Sequence, residues 1–458
     1  MGRSRCRFAG RLYALLGACF AVLACPGASA QSGSWHVLDA APERFSGRHD
    51  DVYFASADTG WVVNTSGFAF RTYDRGESWE SIVNGTLPDI GARAFRSVGF
   101  ADARKGWIGS LTYGSVLFET LDGGDTWADI TDRIDGDADP HGICGISVVD
   151  EHNVFGVGRF NGPAVFVKSN DGGQTWQSRS LHQVAGTLVD VHFFSADEGL
   201  AVGGTSSNLN DTRAVVLTTD DGGATWIRRH TSAGPDSEWG WKISFPTRMV
   251  GYVAVEYDSQ RSPLKVLKTV DGGMNWSEIE IAGSSHRGFQ GIGFVSPTLG
   301  WAGGRGRTVQ TVQGGVSWQD FATIDGNVNR FRFHGDTLGY AVGRTVYKFV
   351  GDTTSGNDGM PGSRPLAIES VFPQPSNGEV TVRYRVDSST EAYAEVFDLA
   401  GRRLARITSE TDVEPGTREF RWNGRLDGGA RVAPGVYVVR ISSGRHTTDA
   451  RIVIAAPR

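Results

Sequence analysis

Seven polar residues occupy one recurring place in the sequence. Asp50 and Asp51, Arg96, Asp190, Lys242, Gln290 and Arg330 lie shortly before the aromatic residues Phe54, Phe100, Phe193, Phe245, Phe294 and Phe333 respectively. Brought together, these positions form a mixed-charge ring able to grip a polar partner. Left on loop ends, they are simply solvated. Two carboxylates facing each other about 5–10 Å apart would allow glycoside hydrolysis. Carboxylates recur in a second place, at Asp74, Asp122, Asp171, Asp221 and Asp271, each shortly before a tryptophan. One or two carboxylates per turn fall short of the roughly six oxygens of a calcium site, so these aspartates are read as structural and no metal is assigned. Cys144 lies in the apolar run Ile143-Cys-Gly-Ile146 and is read as a buried small hydrophobe, with His141 near it in sequence but no further support for a dyad. There is no zinc-ligand spacing, phosphate loop or Ser-His-Asp arrangement. No catalytic residue and no cofactor is assigned.

The elements that position these residues follow from a repeat. The octapeptide Thr120–Trp127 recurs as Thr72–Trp79, Ser169–Trp176, Thr219–Trp226, Thr269–Trp276 and Thr311–Trp318, with the pattern Ser/Thr-x-Asp-x-Gly-x-Ser/Thr-Trp. Gln313 replaces the Asp of the sixth copy and Asn275 the Ser/Thr of the fifth. Trp79, Trp127, Trp176, Trp226, Trp276 and Trp318 are 48, 49, 50, 50 and 42 residues apart, the mark of a repeat architecture. In each box the Asp can accept backbone N–H groups, the Gly permits a tight hairpin, and the Trp buries a large ring between neighbouring sheets. A second signature sets an aromatic residue six positions before Gly and a second large residue, as in Phe54…Gly60-Trp61 and Phe294…Gly300-Trp301, with a degenerate copy at Val148…Val154-Phe155. It counts seven units against six boxes. Each unit reads as four short antiparallel strands. The expectation is an all-β chain, a seven-bladed β-propeller followed by a small Ig-like β-sandwich. The seventh unit lacks a box and a fourth strand; Ser34–Leu38 is expected to supply that strand and close the ring, protecting free edges.

Residues 1–30 read as a signal peptide, with Arg3, Arg5, Arg7 and Arg11, an apolar run over Leu12–Leu23, and Ala28-Ser-Ala30 as cleavage site. Cleavage there is preferred to lipid attachment at Cys25, because Leu23 fits a lipobox poorly. It leaves Cys144 as the one cysteine, so no intramolecular disulfide is expected. Residues 31–350 are assigned to the propeller and 351–364 to a flexible linker. Residues 365–458 are assigned to the small C-terminal domain, with strands at 380–386, 392–398, 403–408, 418–422, 435–442 and 446–454. No further stretch is long and apolar enough to span a membrane, and a formal net charge of −6 argues against a nucleic-acid binder.

The boxes resemble the Asp-box (BNR) repeats of sialidase-like propellers, over residues 34 to about 350. With its Gly-Trp strands, the single ring most resembles the photosystem II stability/assembly factor-like proteins, which implies a non-catalytic binding scaffold. The C-terminal landmarks Phe372–Gly378, Val396–Arg402, Trp422-Asn-Gly424 and Pro434–Tyr437 resemble type IX secretion sorting domains and the Ig-like domain of hook-capping proteins. Arg451–Ile454 and Arg458 stand where the sorting domains are richer in lysine. Together the resemblances imply a secreted or cell-surface monomer. Its partner is expected to be an envelope or extracellular protein or glycan, and its C-terminal domain to engage the export machinery. The alternative is a sialidase-like glycoside hydrolase. Sialidases, however, carry an early Arg-Ile-Pro-like motif, and this chain reads Glu43-Arg-Phe-Ser-Gly-Arg48 there.

Overall fold

The computed structural model describes residues 32–352 except 44–47, 85, 88–90, 93, 235, 258–263, 282–288 and 326, and residues 366–454 except 373–375, 377, 387–389, 399–401, 414–415 and 444–445. The expected signal peptide and nearly all of the expected linker lie outside the described residues. The chain divides into two compact units, Met1–Thr353 and Thr354–Arg458, and each is described by itself.

Seven mainly antiparallel sheets of four or five strands form the β-propeller of the first unit, which also holds a two-stranded pairing of Thr86–Leu87 with Gly91–Ala92. From the innermost strand outward, blade one is His49–Phe54, Gly60–Asn64, Phe68–Thr72 and Glu80–Asn84. Blade two begins at Phe95–Phe100, three at Gly145–Val148, four at Thr187–Phe193, five at Glu238–Ser244, six at Phe289–Phe294 and seven at Arg330–His334. The outermost strand of blade seven is the N-terminal Gly33–Val37, which pairs with Val346–Gly351. The ring is therefore closed by its two ends. Inner strands are buried on both faces, because a blade is covered on each side by its neighbours.

The second signature has a packing explanation. At four seams the large residue after the glycine (or its equivalent) lies flat on the first aromatic of the next blade, while Trp301 meets Phe333 tilted at 6.0 Å. Trp61 stacks on Phe100 at 3.5 Å, Phe155 on Phe193 at 3.6 Å, Tyr252 on Phe294 at 3.5 Å, and Tyr340 on Phe54 at 3.7 Å across the closing seam. The box tryptophan of the same blade meets that ring edge-on, as Trp127 meets Phe100 and Trp318 meets Phe294. Such pairs contribute about 0.5–1.5 kcal/mol beyond area burial. The glycine is required because the ring of its own blade lies over it. A Cβ at Gly251 would sit 2.3 Å from the Phe245 ring, and one at Gly300 2.3 Å from Phe294.

In the boxes the aspartate is consumed by its own turn. Asp122 accepts from Thr120 Oγ1 at 2.8 Å, Thr126 N at 2.9 Å and Thr126 Oγ1 at 2.6 Å, while Gly124 N donates to Thr120 Oγ1. Asp74, Asp171 and Asp221 repeat the arrangement. At Asp271 the Asn275 amide replaces the hydroxyl, and in the sixth box Gln313 accepts from Ser317 Oγ at 3.1 Å. Hydrogen bonds from the Thr175 hydroxyl and backbone hold Asp171 down to about 2. Among the described residues no cluster of three or more acidic, His or Cys side chains could hold a metal ion.

Two features lie outside the four-strand reading. Ile134–Gly136 adds a fifth, parallel strand along Trp176–Ser178, covering the outer edge of blade three. A cation immediately before the box latches one blade to the next. Arg71, Lys168 and Lys268 donate to the carbonyls of Gly123, Gly222 and Gly314, at 2.9, 3.2 and 2.7 Å.

The second unit is a β-sandwich. One sheet holds Leu366–Phe372, Val380–Val386 and Gly416–Trp422; the other holds Arg403–Val413, Thr390–Phe397, Gly435–Ser443 and His446–Ile454. Their inward residues, including Tyr384, Phe420, Trp422 and Ile441, make one core. The first strand is absent from the sequence reading because a register shift between Ile368 and Ser370 breaks its alternation.

Candidate functional site

The inner strands of blades one, two, five and six share an irregularity near their starts. Their register with the second strand shifts between His49 and Asp51, Phe95 and Ser97, Gly240 and Ile243, and Phe289 and Gly291. Asp50, Arg96, Lys242 and Gln290 sit within these β-bulges, and Asp190 follows the equivalent shift in blade four. A bulge re-aims a side chain that the pleat would otherwise send into the sheet interface. Here it gathers polar groups from separate blades. Arg330 comes from a regular strand, paired with Val342.

The gathered residues are buried rather than solvated: Lys242 is 0 % exposed, Asp190 2 %, Gln290 3 %, Arg330 4 % and Arg96 6 %. Arg330 donates to both carboxylate oxygens of Asp190 at 2.8 Å and, through Nε, to Asp51 at 3.0 Å. Arg332 also reaches Asp51, at 3.1 Å from each oxygen. Asp51 further accepts from Val98 N, and Asp190 from Ile243 N, so backbone of blades two and five joins in. Asp50 lies 2.6 Å from both Arg48 Nε and Arg96 Nε. Asn329 links the Asp50 carbonyl to the Trp241 indole. The guanidinium of Arg96 packs over the rings of Trp241 and Phe160.

Electrostatics follow from this pairing. Burial alone would raise the Asp51 carboxyl, but Arg330, Arg332 and Lys242 outweigh it and hold it at about 2. Burial also opposes the charge of Asp190, and Arg330 again outweighs it. Lys242 is pushed down to about 8 by burial and by Arg330, against the pull of Asp190 and Asp51. Glu256, hydrogen-bonded to Gln290, is pushed up to about 7 by burial. Burial raises the Cys144 thiol as well, and Arg96 hydrogen-bonds to it; the His141 ring packs on Tyr113. Cys144 is thus a protonated, inert thiol.

The seven polar residues named from the sequence are buried at the converging inner strands, as an ionic plug and not an open rim. The sequence reading passed over Arg48, Arg332 and Glu256, which lie outside the window before the aromatics, and Asn329, which lies inside it, four residues before Phe333. Among the described residues, those exposed at this end include Tyr113, Arg305 and Arg344, on turns joining second and third strands. Their turns adjoin the strand starts that carry Arg96, Gln290 and Arg330.

Comparison with known families and structures places this geometry. Residues 28–143 match the family described as photosynthesis system II assembly factor YCF48, and residues 370–455 match a secretion system C-terminal sorting domain. The chain carries an Asp-box β-propeller and a secretion sorting domain. The solved structures similar to this Asp-box propeller include "YCF48 bound to D1 peptide", at 20 % identity and TM-score 0.51, covering 70 % of this chain and 97 % of that one. YCF48 from Cyanidioschyzon merolae is similar at 17 % identity and TM-score 0.53, covering 69 % and 98 %. An ancestral GH74 enzyme is similar at 14 % identity and TM-score 0.51, covering 90 % and 60 %. At these identities the likeness concerns the fold. Comparison with curated proteins returns no match. Among the described residues no helix is long and apolar enough to cross a membrane.

Proposed function

We propose that this Asp-box propeller is an exported, non-catalytic scaffold that binds an envelope or extracellular protein or glycan, delivered to the cell exterior by its sorting domain. The observation that carries the reading is the state of the channel carboxylates. Asp50, Asp51 and Asp190 are each engaged by arginine. A glycosidase needs one free carboxylate and one protonated carboxyl facing a cleft. Here the carboxyl raised toward neutrality, Glu256, is 8 % exposed and tied to Gln290. The charged plug instead makes a rigid floor, and the turns bearing Tyr113, Arg305 and Arg344 form the contact surface above it. The similar structure bearing a D1 peptide supports a peptide or protein as partner. The GH74 likeness keeps hydrolysis as the second reading.

The test incubates purified mature protein with envelope glycans and follows reducing-sugar release. The proposal expects no release above a heat-denatured control. Release that is abolished by Glu256→Gln contradicts it.

A further inference from the structure

The channel holds more positive charge than it neutralises. Arg48, Arg96, Lys242 and Arg330 are buried, and Arg332 has a side chain 30 % exposed. Against these five cations stand the four carboxylates Asp50, Asp51, Asp190 and Glu256. Three of those carboxylates are already engaged by arginines, and burial holds the fourth, Glu256, largely in its neutral form up to about 7.

The surplus is concentrated at two groups. Lys242 Nζ is fully buried and has no hydrogen-bond acceptor among the described residues. Arg96 Nη2 is likewise buried and without an acceptor there. Lys242 is flanked by Trp241, whose ring lies 5.5 Å from the Arg96 guanidinium of blade two, and by Ile243, whose N–H donates to Asp190 of blade four, so it lies amid the converging inner strands. A buried ammonium with no acceptor carries a heavy desolvation cost. Asp190 and Asp51 offset that cost only through space and not by a hydrogen bond, because bidentate contacts to Arg330 occupy Asp190 and paired contacts to Arg48 and Arg96 occupy Asp50.

We infer that the propeller channel binds a small monovalent inorganic anion between Lys242 Nζ and Arg96 Nη2, as the counter-ion that completes the ionic plug. Both donors are enclosed, which restricts the ligand to a halide or a small oxyanion and excludes a peptide terminus. The site is independent of the partner surface proposed above. Its role is to lock blade five, through Lys242, to blade two, through Arg96, without a direct protein contact between the two cations.

The test uses the mature full chain with bromide as probe. Crystals grown in bromide are examined for anomalous scattering, and thermal melts compare chloride, nitrate and gluconate at one ionic strength. The inference expects a bromide peak beside Lys242 Nζ. It also expects a saturable rise in melting temperature of several degrees with chloride or nitrate over gluconate, lost in Lys242→Met. Stabilisation by nitrate alone assigns an oxyanion, and by chloride as well a halide-sized site. Equal melting in all three salts, with no anomalous peak at Lys242, overturns the inference. If Lys242→Met fails to fold, the bromide peak in the parent decides.

Discussion

Arg330 of blade seven forms two parallel 2.8 Å hydrogen bonds with Asp190 of blade four, three blades away around the ring. The same guanidinium holds Asp51 of blade one. One side chain thus ties three blades together at the channel. Removing it leaves two buried carboxylates without their principal cation, and breaking a buried pair in this way costs about 3–5 kcal/mol. Arg330→Met is expected to lower the urea-unfolding free energy by that amount. Arg330→Lys, which cannot make the planar fork, is expected to recover only part of it.

Two titrations give opposite pH signatures. Asp51 is held at about 2, below its ordinary value. Its folded pKa is depressed, so it contributes stability above about pH 4 that is lost as pH falls toward 2. Asp51→Asn is expected to be less stable than the parent at pH 7 and to show a flatter acid limb in urea melts.

Glu256 is held at about 7, above its ordinary value. Its folded pKa is raised, so its contribution is full below about pH 4 and is lost as pH rises through 7. Glu256→Gln is expected to raise stability at pH 8 by on the order of 1–3 kcal/mol and to change little at pH 4. Unfolding measured at the two pH values checks both signs.

The aromatic and box staples predict changes in both directions. Gly251→Ala drives a Cβ into the Phe245 ring and is expected to cost about 1–3 kcal/mol. Gln313 keeps the hydroxyl contact to Ser317, while Asp122 also accepts the backbone N–H of the equivalent residue. Gln313→Asp is therefore expected to stabilise by about 0.5–1.5 kcal/mol. Thermal melts of the two variants check this, and addition of a calcium chelator is expected to leave the parent unchanged.

Much of the fold is legible because its causes are local. Box aspartates bond within four residues, and the Phe54/Gly60/Trp61 signature encodes one ring packed over a glycine and another passed to a neighbour. The cation before the box was equally readable at Arg71, Lys168 and Lys268, yet it marks a contact with the following blade and has no meaning within one repeat. The channel is different. Its positions were legible from their spacing to the aromatics, but their burial was not. Arg330 and Asp190 are 140 residues apart, and they meet only because the ring closes. The bulges that aim Asp50, Arg96, Lys242 and Gln290 inward carry no residue signature.

The scaffold reading stands or falls on which end of the ring meets a partner. A photo-cross-linking residue is placed at Tyr113, 65 % exposed on the turn beside Arg96, and separately at Leu121, 59 % exposed in the box at the opposite end of the same blade. Each is expressed in the native host and irradiated on intact cells. The account predicts one discrete protein or glycan adduct at position 113, weakened by Arg305→Glu and Arg344→Glu, and none at position 121. An adduct at 121 with none at 113 would contradict it.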